Sequence, residues 1–298
     1  MRSRPWLSLL ISLLLLTTGG CAASDALEHY LAPPVQATSI ITAVEVTSTP
    51  SPTPTSTPTE VPCQETVGRV TKISIESEQP LSQLVASVYT PPCYDAETGA
   101  YPVLYLLHGQ NQTDEFWFDL GAAKIADEGI NAGRVPFLIV SPYEEDSFAP
   151  VTESKFASAV VDELIPYVES HYAVCSSRDC RAIGGISHGG GWAVHMALLH
   201  LDLFSSVGAH SPGYFFGDTS RIVRLRQTLS PDQFPRFYVD RGDKDYLQSE
   251  VDALDRVLTN YQIAHVYQVS PGAHAESYWR AHVADYLNWY MDGFDSLR

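Results

Sequence analysis

The chain has 298 residues, 45% of them apolar, and carries 35 acidic against 18 basic side chains for a net charge of −17. That apolar share supports a globular core, and the acidic balance excludes sequence-independent nucleic-acid binding, which needs a basic surface to displace counterions. No zinc-type histidine and cysteine spacing is present, nor a nucleotide-binding glycine pattern with a suitable basic residue, so no metal and no cofactor is expected.

Arg2 and Arg4 precede an apolar run from Trp6 to Leu16, and Thr17-Thr18-Gly19-Gly20 places small residues before Cys21. Residues 1–20 therefore read as a signal peptide, since the run is short for a membrane span. Small residues directly before a cysteine resemble a bacterial lipoprotein signal, which implies a lipidated Cys21 and attachment to a membrane. Simple secretion and a retained signal anchor are the alternatives. From Ala32 to Pro62 threonine, serine and proline dominate. Such chain cannot bury enough apolar surface to offset the entropy of ordering it, so residues 21–62 are predicted to be a disordered linker and 63–298 a single domain.

Within that domain, 67–76 and 84–90 read as strands joined by a turn near Gln79-Pro80. Pairing about that turn brings Cys63 opposite Cys93. Cys175 and Cys180 flank a short loop, so the expected disulfides are Cys63 to Cys93 and Cys175 to Cys180. Loop-closure entropy assigns about 3.7 kcal/mol to the longer loop and about 2 kcal/mol to the shorter. Further strands are predicted at 103–107, 137–140, 181–186, 206–209, 237–240 and 266–269. Helices are predicted at 122–131, 156–172 with a kink at Pro166, after 187, at 249–261 and at 278–291. Short apolar strands alternating with helices indicate a mostly parallel sheet covered on both faces. With an initial antiparallel hairpin, this is the α/β-hydrolase arrangement.

Gly185-Ile186-Ser187-His188-Gly189 forms the pattern G-x-S-x-G between a short buried strand and a helical stretch marked by Trp192, Met196 and Leu199. In that context the pattern is a nucleophile elbow, with the serine at the tip of a strand-to-helix turn. Serine at neutral pH needs an adjacent base, and in this fold the acid and then the histidine follow it in chain order. His274, just beyond the last strand, is the candidate base. His195, His200 and His282 fall inside helix patterns and read as surface or packing residues. The acid is expected after the strand at 237–240, where Asp240, Asp243 and Asp245 all qualify. One oxyanion donor is the N–H of His188, the residue after the nucleophile. The other is expected in Leu107-His108-Gly109-Gln110-Asn111, at the N–H of Gln110, with His108 shaping the loop by hydrogen bonding. Asp114 to Trp117 read equally as an entrance lining or a helix start, and Tyr143-Glu144-Glu145-Asp146 as a solvated acidic loop.

Leu106-Leu107-His108-Gly109, Asp162-Glu163-Leu164-Ile165-Pro166-Tyr167-Val168, Gly185 to Gly190 and Gly272-Ala273-His274-Ala275-Glu276-Ser277-Tyr278-Trp279 resemble an esterase family of α/β-hydrolases. It includes esterase D, enterochelin-esterase-like proteins, feruloyl esterase domains and mycolyltransferases. The resemblance, over roughly Gly68 to Tyr290, implies a serine nucleophile at Ser187, a base at His274, carboxylic-ester substrates and no metal. Gly242-Asp243-Lys244-Asp245 resembles the family's G-x-x-D, which implies Asp245 as the triad acid, although Asp245 with Gln248 also has the form of a capping box. Two positions depart from the family: Ala273, often glycine, and His188, often methionine or arginine. The expected function is an exported serine esterase. An acyltransferase with the same triad differs only in its acceptor, which product analysis separates. A non-catalytic surface-binding protein on the same fold would leave Ser187 unlabelled by a fluorophosphonate.

Overall fold

The computed structural model describes residues 63–77, 83–97, 99–213 and 217–298. The expected signal peptide, Cys21, the linker and the turn at Gln79-Pro80 lie outside these residues. Eight strands, β1 (Arg69–Glu76), β2 (Gln83–Thr90), β3 (Val103–Leu107), β4 (Leu138–Pro142), β5 (Arg181–Ile186), β6 (Ser206–His210), β7 (Arg236–Lys244) and β8 (His265–Ala273), form one sheet in the order β1-β2-β4-β3-β5-β6-β7-β8. β1 and β2 pair antiparallel, as do β2 and β4, and every other pairing is parallel. Cys63–Cys93 and Cys175–Cys180 are disulfide-bonded.

The central strands are buried along their whole length because both faces are covered. Alternation of side chains along β3 sends Val103, Tyr105 and Leu107 to one core and Leu104 and Leu106 to the other. The first core takes its helical residues from α3 (Phe156–Ser158), α4 (Ile165–His171), α5 (His188–Leu199), α6 (Asp218–Leu225) and α7 (Gln248–Asn260). The second takes them from α1 (Phe116–Asp119), α2 (Ala122–Asn131) and α8 (Glu276–Asp295).

Three local differences from the sequence expectation have physical causes. Between α3 and α4, Ala159–Leu164 is π-helical. Pro166 lacks an N–H and crowds the carbonyl four residues back, and the widened turn ahead of it accommodates the ring where a kink was expected. α6 was not foreseen. β7 and β8 each run four residues past their expected ends at Asp240 and Val269. A bulge between Gly242 and Lys244 carries the pairing on, and a Cβ at Gly242 would fall 2.3 Å from the Gly272 carbonyl oxygen. Pro271 is tolerated because β8 is an edge strand.

Beneath the carboxyl ends of β6 and β7 lies a buried polar network. His210 Nδ1 is 2.8 Å from Asp240 Oδ1, and Asp240 Oδ2 accepts hydrogen bonds from the hydroxyls of Tyr278 and Tyr286, both at 2.7 Å. His210 Nε2 lies 3.1 Å from the Tyr290 hydroxyl. Burial and the Asp240 charge push the Tyr278 and Tyr286 hydroxyls far above their ordinary pKa, so they remain donors. Gly184 and Gly208 make room for the Tyr290 hydroxyl, since a Cβ on either would come within 1.7 Å of it.

Candidate active site

Ser187 follows β5 directly and adopts φ 55°, ψ −118°, a region costly for any residue with a side chain. The turn is fixed from several sides: the Ser187 N–H donates to His210 O at 2.9 Å, and Ser187 O accepts from the Gly191 and Gly213 amides at 3.0 and 2.7 Å. The flanking glycines answer to close approach. A Cβ on Gly185 would fall 2.3 Å from the Gly189 carbonyl, and one on Gly189 would fall 2.4 Å from the oxygens of Leu107 and His108.

Asp245 and His274 also directly follow strands, β7 and β8, so the carboxyl ends of three strands bring the three side chains together. This edge is where open α/β sheets place their ligands. His274 Nε2 lies 2.8 Å from Ser187 Oγ, and His274 Nδ1 lies 3.0 and 3.1 Å from the two oxygens of Asp245. Asp245 is 1% exposed. Burial pushes its carboxyl up, but hydrogen bonds from His274 and from the Leu247 N–H outweigh that and hold it below its ordinary value. The capping-box alternative is not what forms: α7 begins at Gln248 with Leu247 as its cap. Asp240 belongs to the buried network, and exposed Asp243 accepts the Gly272 N–H at 2.9 Å. The His274 ring meets Trp279 edge-on at 5.1 Å and Tyr246 at 4.5 Å between centroids.

The loop after β3 approaches the same serine, since a Cβ on Gly109 would be 3.4 Å from Ser187 Cβ. Here the Gly109 N–H is taken by Gln112 Oε1 at 2.8 Å and the Asn111 N–H by Ser147 Oγ at 3.4 Å. The Gln110 N–H has no protein acceptor among the described residues. His108 is 2% exposed and uses both ring nitrogens: Nε2 accepts the Glu144 N–H at 2.9 Å, and Nδ1–H donates to Gly109 O at 2.7 Å. Burial pushes its pKa below the ordinary histidine value.

The acidic run after β4 departs from expectation. Glu145 and Asp146 are exposed, but Glu144 is buried and bonded to Trp192 and His188. Sequence reasoning missed it because neighbouring acids made the whole run look solvated. The usable signal was His188 and Trp192 at helical spacing, two ring N–H groups that need an acceptor. Asp114 ties to Ser87 and Lys72 and Trp117 donates to Leu107 O, so this stretch is a helix start built into the core. Among the described residues no group of three His, Cys, Asp or Glu side chains is arranged to hold a metal ion.

An eight-stranded, mostly parallel sheet with a serine on a strained strand-to-helix turn defines an α/β-hydrolase. The chain belongs to the family described as "Putative esterase", which matches residues 77–290. It is 27% identical over 190 residues to an endo-1,4-beta-xylanase/feruloyl esterase of Xylanibacter ruminicola, covering 60% of this chain and 25% of that protein. It is 26% identical over 233 residues to an acetyl esterase of Caldicellulosiruptor saccharolyticus, covering 65% of this chain and 85% of the relative. The chain thus spans a quarter of the length of the first of these relatives. Among solved structures, a ferulic acid esterase superposes with a TM-score of 0.67 at 24% identity, covering 76% of this chain and 99% of that one. A Staphylococcus aureus fluorophosphonate-binding serine hydrolase gives 0.65 at 16% identity, with 76% and 99% covered.

Proposed function

We propose that the protein is an exported serine esterase acting through Ser187, His274 and Asp245. The observation that carries this reading is the unbroken hydrogen-bonded chain from Asp245 through His274 to Ser187 Oγ. As Oγ attacks the ester carbonyl, His274 Nε2 takes its proton. Asp245 holds the ring by Nδ1–H and stabilises the imidazolium that forms. The N–H groups of Gln110 and His188 receive the developing oxyanion. Collapse expels the alcohol with the proton from His274, leaving an acyl-serine, and a water activated by the same imidazole then releases the acid. Residues 1–20 direct export, Cys21 is the lipidated anchor, and 21–62 tether the catalytic domain, 63–298, at a distance from the membrane. The two disulfides suit an oxidising compartment.

The relatives' names select the substrates to try: esters of feruloyl, an aryl-propenoyl group, and of the small acetyl group. The test is turnover on that panel together with fluorophosphonate labelling. Ser187→Ala should fold, lose turnover by several orders of magnitude and escape labelling. Near-normal hydrolysis by a folded Ser187→Ala protein would overturn the reading.

A further inference from the structure

Glu144 is 4% exposed, with its carboxylate facing two ring nitrogens of α5. Trp192 Nε1 donates to Oε1 at 3.0 Å, and His188 Nε2 lies 3.4 Å from the same oxygen and 3.1 Å from Oε2. Trp192 Nε1 also donates to His188 Nε2 at 3.0 Å, so the carboxylate, the indole and the imidazole form one buried cluster. Burying a carboxylate is costly unless it is well bonded, and the triad makes no use of this one.

The main chain of the same residue reaches the other side of the site. Its N–H donates to His108 Nε2, which leaves the His108 proton on Nδ1 and directs it to Gly109 O. Gly109 C=O and Gln110 N–H are opposite ends of one trans peptide plane. Fixing the carbonyl therefore aims the Gln110 amide the other way. At its second contact Glu144 holds the side chain of His188, whose own N–H opens α5 next to Ser187. β4 lies beside β3, and β3 beside β5, so Glu144, two residues beyond β4, is placed to grip the segments after both.

We propose that Glu144 is a positioning residue whose carboxylate sets the His188 oxyanion amide through the imidazole, while its main-chain N–H, kept in every variant below, holds the Gln110 amide through His108. The proposal rests on the esterase reading above. Substrate binding in the ground state does not need this alignment, whereas the tetrahedral intermediate does. Removing an oxyanion donor outright costs about 10²–10³ in kcat, and a misdirected donor should cost less.

The test compares Glu144→Ala, Glu144→Gln, His188→Phe, the Glu144→Ala/His188→Phe pair and Ser187→Ala in the full chain. Measured are kcat, KM, melting temperature and affinity for a boronic acid that forms a tetrahedral adduct on the serine. Glu144→Ala and His188→Phe should each lower kcat by about 10- to 100-fold, with KM within about twofold. Boronate affinity should fall by the same factor as kcat. Glu144→Gln should recover most of the loss, because its amide oxygen still accepts from Trp192 and either end of the amide can bond His188 Nε2. The double variant should be no worse than Glu144→Ala, since the His188 bond is already lost there. If Glu144→Ala does not fold, His188→Phe reads the same bond from its other end. Unchanged kcat and boronate affinity in His188→Phe or Glu144→Ala, or multiplicative losses in the pair, overturns the proposal while leaving the esterase reading intact. Turnover surviving in Ser187→Ala overturns both.

Discussion

Asp240, Asp243 and Asp245 share one stretch of chain, yet their carboxylates meet different partners: a buried histidine with two tyrosines, an exposed backbone N–H, and His274. Asparagine at each should therefore fail in a different way. Asp245→Asn is expected to lower turnover by about 10⁴ with the fold intact, the size seen in a studied triad. Asp240→Asn leaves a tyrosine hydroxyl or His210 without its acceptor in the core, a loss of about 1–3 kcal/mol in unfolding free energy, with turnover per folded molecule changed far less. Asp243→Asn keeps an oxygen for the Gly272 N–H and should be mild in both respects. Urea unfolding and kcat on the three proteins check the assignment, and a turnover loss confined to Asp243→Asn would move the acid by two residues.

At the scale of elements, the packing of α8 under the sheet depends on what β5 and β6 lack. A methyl group at Gly184 would displace the Tyr290 hydroxyl and with it the contact to His210. Gly184→Ala should destabilise by about 1–3 kcal/mol, and Tyr290→Phe in the same chain should recover part of that by removing the colliding oxygen; denaturant midpoints measure both. The strands around this site were legible because runs such as Val103 to Leu107 and Arg181 to Ile186 are short, apolar and bounded by turns. The ends of β7 and β8 were not legible, because Gly242, Pro271 and Gly272 usually close a strand, and only the bulged pairing shows that here they prolong it. α6 escaped notice because its one buried apolar side chain, Ile222, sets no repeating stripe. G-x-S-x-G, His274 and the acid cluster could be found in the sequence, since their chemistry dictates residue type and order. The burial of Glu144 could not, because it depends on which strand lies beside β3.

For the molecule as a whole, several groups link folding to acid, with His108 and Asp245 in the site and Asp252, despite burial, held low by hydrogen bonds from Arg241 and Tyr267. Burial depresses His108 below its ordinary 6.5, and hydrogen bonding holds Asp245 below its ordinary 3.8 despite burial. Each binds fewer protons folded than unfolded, so their contributions are full above those ordinary values and are lost as pH falls through the lower folded ones. Stability should therefore decline in two steps, first below pH 6.5 and again below pH 3.8. His108→Gln should flatten the first step alone, as read from urea unfolding at pH 7 and pH 5. Acid also relaxes the self-repulsion of a chain with net charge −17, a background common to both proteins, so their difference is the quantity to compare. Ser187 bears on the same balance from another direction. A side chain at φ 55°, ψ −118° costs on the order of 1–3 kcal/mol that glycine would largely avoid, in a domain whose total stability is roughly 5–15 kcal/mol. Drift under selection for folding alone would favour glycine at 187. The serine thus marks a place where durability and use pull the chain in opposite directions.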